Sequence, residues 1–194
     1  MRNLIIVFML AIVGAVLAGC QAKEVTTEPK DDGAAEQPAP PAKPPVTVQM
    51  DVKGKGKIVL ELSAERAPET TSRIATLVKG GFYNGQRVHR VEGPVVQWGD
   101  PQSKEKDWTK LQVGTKGSGV QLSFELTDIP MDRGVVAMAS TGPGVGGDSQ
   151  IFILKQRLNH LQGGYAAFGT VTQGMDVADK IERGDEITMK VVDK

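Results

Sequence analysis

Cysteine and histidine are scarce in this chain: its 194 residues include one cysteine, Cys20, and two histidines, His89 and His160. A single thiol forms no internal disulfide, so covalent staples drop out of the fold argument. Two histidines far apart, with no acidic pattern beside either, do not supply the ligands of a zinc site, and no metal or cofactor is expected. A Gly-x-Ser-x-Gly elbow is also missing, so a serine hydrolase lacks the strained turn its nucleophile needs. No sign of charge prevails either. With 23 basic residues against 23 acidic ones, nothing points to nucleic acid or an anionic membrane surface as partner. Acids are numerous enough for a glycosidic pair, but none lies in a stretch that reads as a cleft. Gly142-x-Gly144-x-x-Gly147 matches the dinucleotide fingerprint, yet Pro143 sits inside it and a strand, not a helix, follows.

What is present begins with Arg2 and an apolar run from Leu4 to Leu17, the order of charge and hydrophobe found in a secretory signal and short for a spanning helix. The run ends Leu17-Ala18-Gly19-Cys20, which resembles a bacterial lipobox, where the leader (residues 1–19) is cleaved and Cys20 is lipidated. Cys20 is therefore either a dangling thiol or an acyl anchor, and its position after the small residues favours the anchor. Residues 20–45 are rich in Ala, Pro, Lys, Glu and Asp, a composition that buries too little surface to offset ordering entropy. They read as a disordered tether, stiffened by Pro38, Pro40, Pro41, Pro44 and Pro45. Residues 46–194 are enough for one domain with one core.

Within that domain Val46, Val48, Met50 and Val52 alternate with polar residues, and after Gly54-Lys55-Gly56 the alternation resumes at Ile58, Leu60 and Leu62. This pattern predicts a hairpin with one buried face. Ala67-Pro68-Glu69 opens a helix with Ile74, Leu77 and Val78 as its buried stripe, stopped by Gly80-Gly81. Two short strands flank Gly93-Pro94, the segment 102–119 reads as a surface loop, and Leu122, Phe124 and Leu126 alternate. Strands follow from Gly134 to Ser140, Ser149 to Leu154 and Ala166 to Val171; Met175, Val177 and Ile181 suggest a second helix, and Glu186 to Val192 the last strand. The expected architecture is mainly β, a closed eight-stranded antiparallel barrel capped by two helices.

Val88-His89-Arg90-Val91, Gln97-x-Gly99-Asp100-Pro101, Met138-Ala139-Ser140 with Ser149-Gln150-Ile151-Phe152-Ile153, and Ala167-Phe168-Gly169-Thr170-Val171 resemble, in order and spacing, the cyclophilins, which are peptidyl-prolyl cis-trans isomerases. The resemblance covers residues from about 47 to the C-terminus. It implies the barrel just described, with a groove on its outer face. The family's catalytic arginine falls on Arg90 and its groove glutamines on Gln97 and Gln150; its proline pocket falls on Phe152, Leu161 and Val95, with His160 and Tyr165 at the pocket's tryptophan and histidine positions. Compared with the family, one residue is missing between Arg90 and Gln97, Pro94 or Val95 stands near the place of a pocket phenylalanine, Ser140 replaces an asparagine, and the glycine loop is one residue longer.

Taken singly, Arg90 reads as a solvated strand residue, Gln97 as a rim residue, and Phe152 and Leu161 as ordinary core. His89 reads as a hydrogen-bonded structural histidine. The four motifs together assign Arg90, Gln97 and Phe152 to a groove. Two function classes follow. One is an isomerase tethered as a monomer to the outer side of the cell membrane, acting on proline-containing polypeptides after export. The other is a lipid-anchored binding module for such peptides that has lost turnover. A solute-binding protein is disfavoured, because one domain of this size offers no two-lobed cleft.

Overall fold

The computed structural model describes residues 43–192, so the expectations for Cys20, for the leader and for all but the last three residues of the tether lie outside the described residues. Strands β1 (Val46–Val52) and β2 (Gly56–Leu62) form the expected hairpin, with Val46 opposite Leu62 and Val52 opposite Gly56. Val48, Met50 and Val52 of one strand and Ile58, Leu60 and Leu62 of the other are buried on one face, as a period of two dictates. Helix α1 (Pro68–Lys79) buries Ile74, Leu77 and Val78 together with Thr70, Thr71 and Ala75. The Ala67 side chain has nothing to cap it with. The Glu125 carboxylate does so instead, accepting from the N–H groups of Glu69 and Thr70 at 3.0 and 2.7 Å, where a helix start has unpaired donors and a field that favours an anion.

The remaining strands are β3 (Gln86–Arg87), β4 (Arg90–Glu92), β5 (Val95–Trp98), β6 (Val135–Met138), β7 (Ile151–Leu154), β8 (Ala167–Gln173) and β9 (Glu186–Val191), with helix α2 (Met175–Asp179) before the last. All pair antiparallel in one sheet of nine strands, ordered β3-β9-β1-β2-β8-β6-β7-β5-β4. This corrects the closed eight-stranded barrel: the sheet is an open, curled half-barrel. The extra strand arises because the run from Gln86 to Glu92 divides, its first part pairing with β9 and its last with β5. Between them the Val88 N–H donates to Asp185 O and the His89 N–H to Gln97 O, so the two ends of the sheet are joined by the chain itself and not by a ladder.

Two further expectations change. Leu122, Phe124 and Leu126 form no strand; the segment 120–132 satisfies its polar groups piecemeal, through Leu122 N–H to Gly147 O and Thr127 Oγ1 to Ala167 O, and Leu126 is 71% exposed. The loop 102–119 contains two single-turn 3-10 helices, Pro101–Lys104 and Trp108–Lys110, gathered by the buried Asp100 carboxylate, which accepts from the N–H groups of Gln102, Gly114 and Lys116. The glycine-rich stretch from Gly142 to Gly147 is a loop leading into β7, the context that a dinucleotide fingerprint lacks.

Hydrophobic residues gather on both faces of the sheet. The larger cluster, with Val48, Leu60, Trp98, Val136, Ile151, Ile153 and Phe168, lies under α1 and α2. A smaller one comprises Ile129, Met131, Val135, Ala137, Phe152, Leu154 and Ala167.

Candidate active site

In an antiparallel sheet, residues directly opposite each other point to the same face. Arg90 on β4 stands opposite Gln97 on β5, Gln97 opposite Phe152 on β7, and Phe152 opposite Ala137 on β6. Four strands thus lay out one lateral row that runs from a cation through an amide to an aromatic ring. Gln150, two residues before Phe152, falls on the same face.

The polar end of the row is wired. Arg90 Nη1 donates to Gln97 Oε1 at 3.0 Å, Gln97 Nε2 to Gln150 Oε1 at 2.9 Å, and Gln150 Nε2 to the Lys116 carbonyl at 2.8 Å. A guanidinium only donates, so it fixes which way the Gln97 amide faces, and that amide fixes the next. The other edge of Arg90 donates through Nε and Nη2 to Glu92 Oε2, at 3.0 and 2.8 Å. These bonds and the charge of Arg90 hold the Glu92 carboxyl below the usual carboxylate range.

The turn between β4 and β5 is two residues long, Gly93-Pro94, with φ of +50° at Gly93. Positive φ followed by the fixed negative φ of proline is the sign pattern of a II′ hairpin turn, so the residue missing from this interval leaves a tight, regular hairpin. Val95 emerges from it opposite Leu154 and packs, half-buried, against the smaller cluster.

The end of β5 is brought close to β7 by Gly99. At φ of +114° and with a built Cβ only 2.6 Å from Gln150 Cα, this position admits no side chain. The approach is held by Ser149 Oγ donating to Gly99 O at 2.9 Å and by the buried Tyr83 hydroxyl donating to Ser149 O at 2.8 Å. Burial pushes the Tyr83 phenol above its ordinary value, which keeps it a donor.

The apolar end is floored by Phe152, 5% exposed, whose ring meets Tyr165 edge-on at 5.9 Å and 84°. Leu161, Leu158 and Val95 pack partly exposed around the same cluster. Past the two glutamines a cleft of about 460 Å³ continues between Thr115, Lys116, Ala139, Gly147 and Asp148.

A model of the cyclophilin type peptidyl-prolyl cis-trans isomerase/CLD family matches residues 47–194. The chain belongs to this family. A peptidyl-prolyl cis-trans isomerase of Helicobacter pylori is 41% identical over 138 residues, covering 69% of this chain and 78% of its own. A probable peptidyl-prolyl cis-trans isomerase of Brucella suis is 38% identical over 156 residues, with 78% and 79% covered. In fold, the chain is similar to the crystal structure of a Cryptosporidium parvum cyclophilin type isomerase, with a TM-score of 0.63 and 23% identity over 77% of this chain and 99% of the other. A further structure of that protein, in the presence of the dipeptide Ala-Pro, has a TM-score of 0.63 and 24% identity, covering 76% and 99%. The activity of this cyclophilin is peptidyl-prolyl cis-trans isomerisation.

The cyclophilin sheet brings Arg90, Gln97, Gln150 and Phe152 into one row and sets Val95, Leu161 and Tyr165 against its apolar end. His160, on the turn Asn159–Leu161, is exposed and makes no hydrogen bond with the described residues. His89 departs from its expectation as a hydrogen-bonded histidine: it is 7% exposed and neither ring nitrogen has a partner. Burial lowers its pKa; Asp100 and Gln150 oppose this while Arg90 and Arg183 reinforce it. The Gln150 amide spends one acceptor site on Gln97 and one N–H on Lys116, and its remaining hydrogen-bonding capacity opposes the lowering at the His89 ring. Met131 and Glu92 were not singled out from sequence. Met131 sits in an irregular segment, where only the continued alternation of Thr127, Ile129 and Met131 signals burial; for Glu92 the signal is its place two residues from Arg90 on a strand, hence on the same face.

Proposed function

We propose that prolyl isomerisation takes place over the row from Arg90 to Phe152, with Arg90 and Gln97 as the catalytic residues. The observation that carries this reading is the juxtaposition in register: a hydrogen-bonded guanidinium and amide lie beside an apolar surface on one face of the sheet. The reaction forms and breaks no covalent bond. It rotates an X-Pro amide against a resonance barrier of about 18 to 20 kcal/mol, and resonance falls as the prolyl nitrogen lone pair is drawn into a hydrogen bond. Of the five N–H groups of Arg90, three are engaged by Gln97 and Glu92, which leaves two to meet the turning amide. Arginine donates without losing its charge, so the support is present throughout the neutral range.

Phe152, Leu161, Tyr165 and Val95 would hold the proline ring, and Gln150 the flanking backbone. With the ring held on one side of the bond, the other side turns. The test is the exchange rate of an Ala-Pro peptide, followed by NMR, on the full chain and on Arg90→Ala. We expect a folded variant with most of its rate lost; full activity would move the chemistry to another place on the sheet.

We further propose that residues 1–19 are a lipoprotein leader, that Cys20 is lipidated, and that residues 20–45 tether an isomerase of residues 46–194 at the extracytoplasmic face of the membrane, where exported polypeptides fold. Sequence pattern supports this. Cys20→Ser should shift the protein from the membrane to the soluble fraction, and unchanged retention would refute the anchor.

A further inference from the structure

We propose that Glu92 is a positioning residue for the isomerisation, a carboxylate clamp that holds the Arg90 guanidinium in the orientation that meets the prolyl amide. The inference rests on the reading of Arg90 given above and adds a residue that this reading does not need. Arg90 is a long side chain, 46% exposed, on β4, the terminal strand of the ladder order. Left alone, such a side chain samples many rotamers, and each of them must be lost when the substrate is met. Gln97 restrains it at one point only, by a single bond to Nη1. A planar group held at one nitrogen still pivots about that bond.

Glu92 removes the pivot. Alternation along β4 puts residues 90 and 92 on one face, and Glu92 Oε2 takes both Nε at 3.0 Å and Nη2 at 2.8 Å. With Nη1 on Gln97, the guanidinium plane is then fixed at three nitrogens by two different strands. Exposed ion pairs as a class contribute little to stability, and Glu92, 68% exposed, is no exception on that score. Its effect lies in placement, where a misdirected donor reduces a rate without unfolding anything. The Glu92 side chain stays charged to pH values below the ordinary carboxylate range because of the same bonds. The clamp therefore keeps its full charge from neutral pH into moderately acid conditions.

The test compares wild type with Glu92→Ala, Glu92→Gln and Arg90→Ala in the full chain. The readouts are kcat and KM for a prolyl peptide and the NMR signal of the Arg90 side-chain Nε–H. Glu92→Ala should lower kcat about tenfold with KM nearly unchanged, and should make the Nε–H signal exchange rapidly with water. Glu92→Gln, whose amide oxygen accepts the same bonds, should recover most of the rate and of the Nε–H protection. An unchanged kcat in Glu92→Ala, with Arg90→Ala inactive, would overturn the clamp and leave the reading of Arg90 intact. A raised kcat would also overturn it, since Glu92 would then be competing with substrate. If Arg90→Ala is itself fully active, the reading of the site fails first. An Nε–H signal equally protected in Glu92→Ala and wild type would overturn the clamp whatever the kinetics.

Discussion

The two halves of the sheet obey different rules. In the hairpin half, β1 and β2 alternate buried with partly or fully exposed residues, so that Thr47, Gln49, Asp51 and Glu61 face outward and only one side of the sheet is core. In the other half, all four residues of β6 and all four of β7 are buried. The difference comes from what covers the outer face. Over β6 and β7 the irregular segment carrying Ile129 and Met131 and the turn carrying Leu158 and Leu161 lay down a second apolar layer. That layer ends at Phe152 and Tyr165, where the polar row begins. A sheet whose outer face is apolar over part of its width and polar beside it has a border, and the proposed site lies along that border.

The largest expected effect separates the two faces at adjacent residues. Phe152 and Ile153 point to opposite sides of β7, into the smaller and the larger cluster. Phe152→Ala should destabilise by about 3 to 5 kcal/mol and Ile153→Ala by about 2 to 5 kcal/mol in denaturant titrations, as large-to-small core changes do. Only Phe152→Ala should also raise KM for a prolyl peptide. An equal rise in both would mean that the outer layer is plain core.

Arg90→Ala comes next. Loss of one electrostatic donor lowers kcat/KM by about a hundred- to a thousandfold, while stability stays within about 0.5 kcal/mol, as for other exposed positions. Coupled loss of folding and activity would assign Arg90 to the scaffold.

Glycine substitutions sharpen the contrast between the halves at smaller magnitude. Gly54 in the hairpin turn has φ of +75° but open space around its Cβ position, whereas Gly99 has both positive φ and backbone pressed against it. Gly54→Ala should cost about 1 kcal/mol, and Gly99→Ala about 2 to 4 kcal/mol because overpacking adds to strain. Thermal melts of the two variants give the comparison directly.

A pH effect follows from His89, buried behind the polar row. Its pKa in the folded protein lies below the ordinary histidine value, so the unfolded chain binds the proton first. Stability from this residue is complete above about pH 6.5 and is lost as the pH falls from there toward the lowered value. His89→Gln should flatten the stability slope between pH 7 and 5; an unchanged slope would place its origin elsewhere.

The smallest effect is expected at His160, exposed and without a hydrogen bond to the described residues. His160→Ala should change stability by less than about 0.5 kcal/mol. A change in kcat/KM well beyond twofold would bring this side chain into the groove.

Much of this was legible in the chain and some was not, for physical reasons that differ by segment. The hairpin and α1 announce themselves because each has one solvated face, so period two and the helical stripe of Ile74, Leu77 and Val78 appear in the residues. β6 and β7, buried on both faces, read as uninterrupted apolar runs whose existence is clear and whose facing is not. The segment 120–132 misled in the opposite way: its alternation at Leu122, Phe124 and Leu126 is real, but no neighbouring backbone offers it a ladder. The open sheet was hidden for a similar reason. Nothing in Gln86 to Glu92 marks the point at which one extended run leaves β9 and joins β5.

By itself, then, the sequence marked what pattern and spacing can mark: one helix stripe, one hairpin, and four linked motifs whose resemblance singles out Arg90, Gln97, Gln150 and Phe152. These are local properties, set by side-chain type and spacing. Only the tertiary structure decided that Arg90, Gln97 and Phe152 share one row, that Gly99 lets β7 approach, and that Glu92 closes on Arg90. Each of these depends on strand register across residues as far apart as 90 and 152, and register is set by the packing of both faces of the sheet at once.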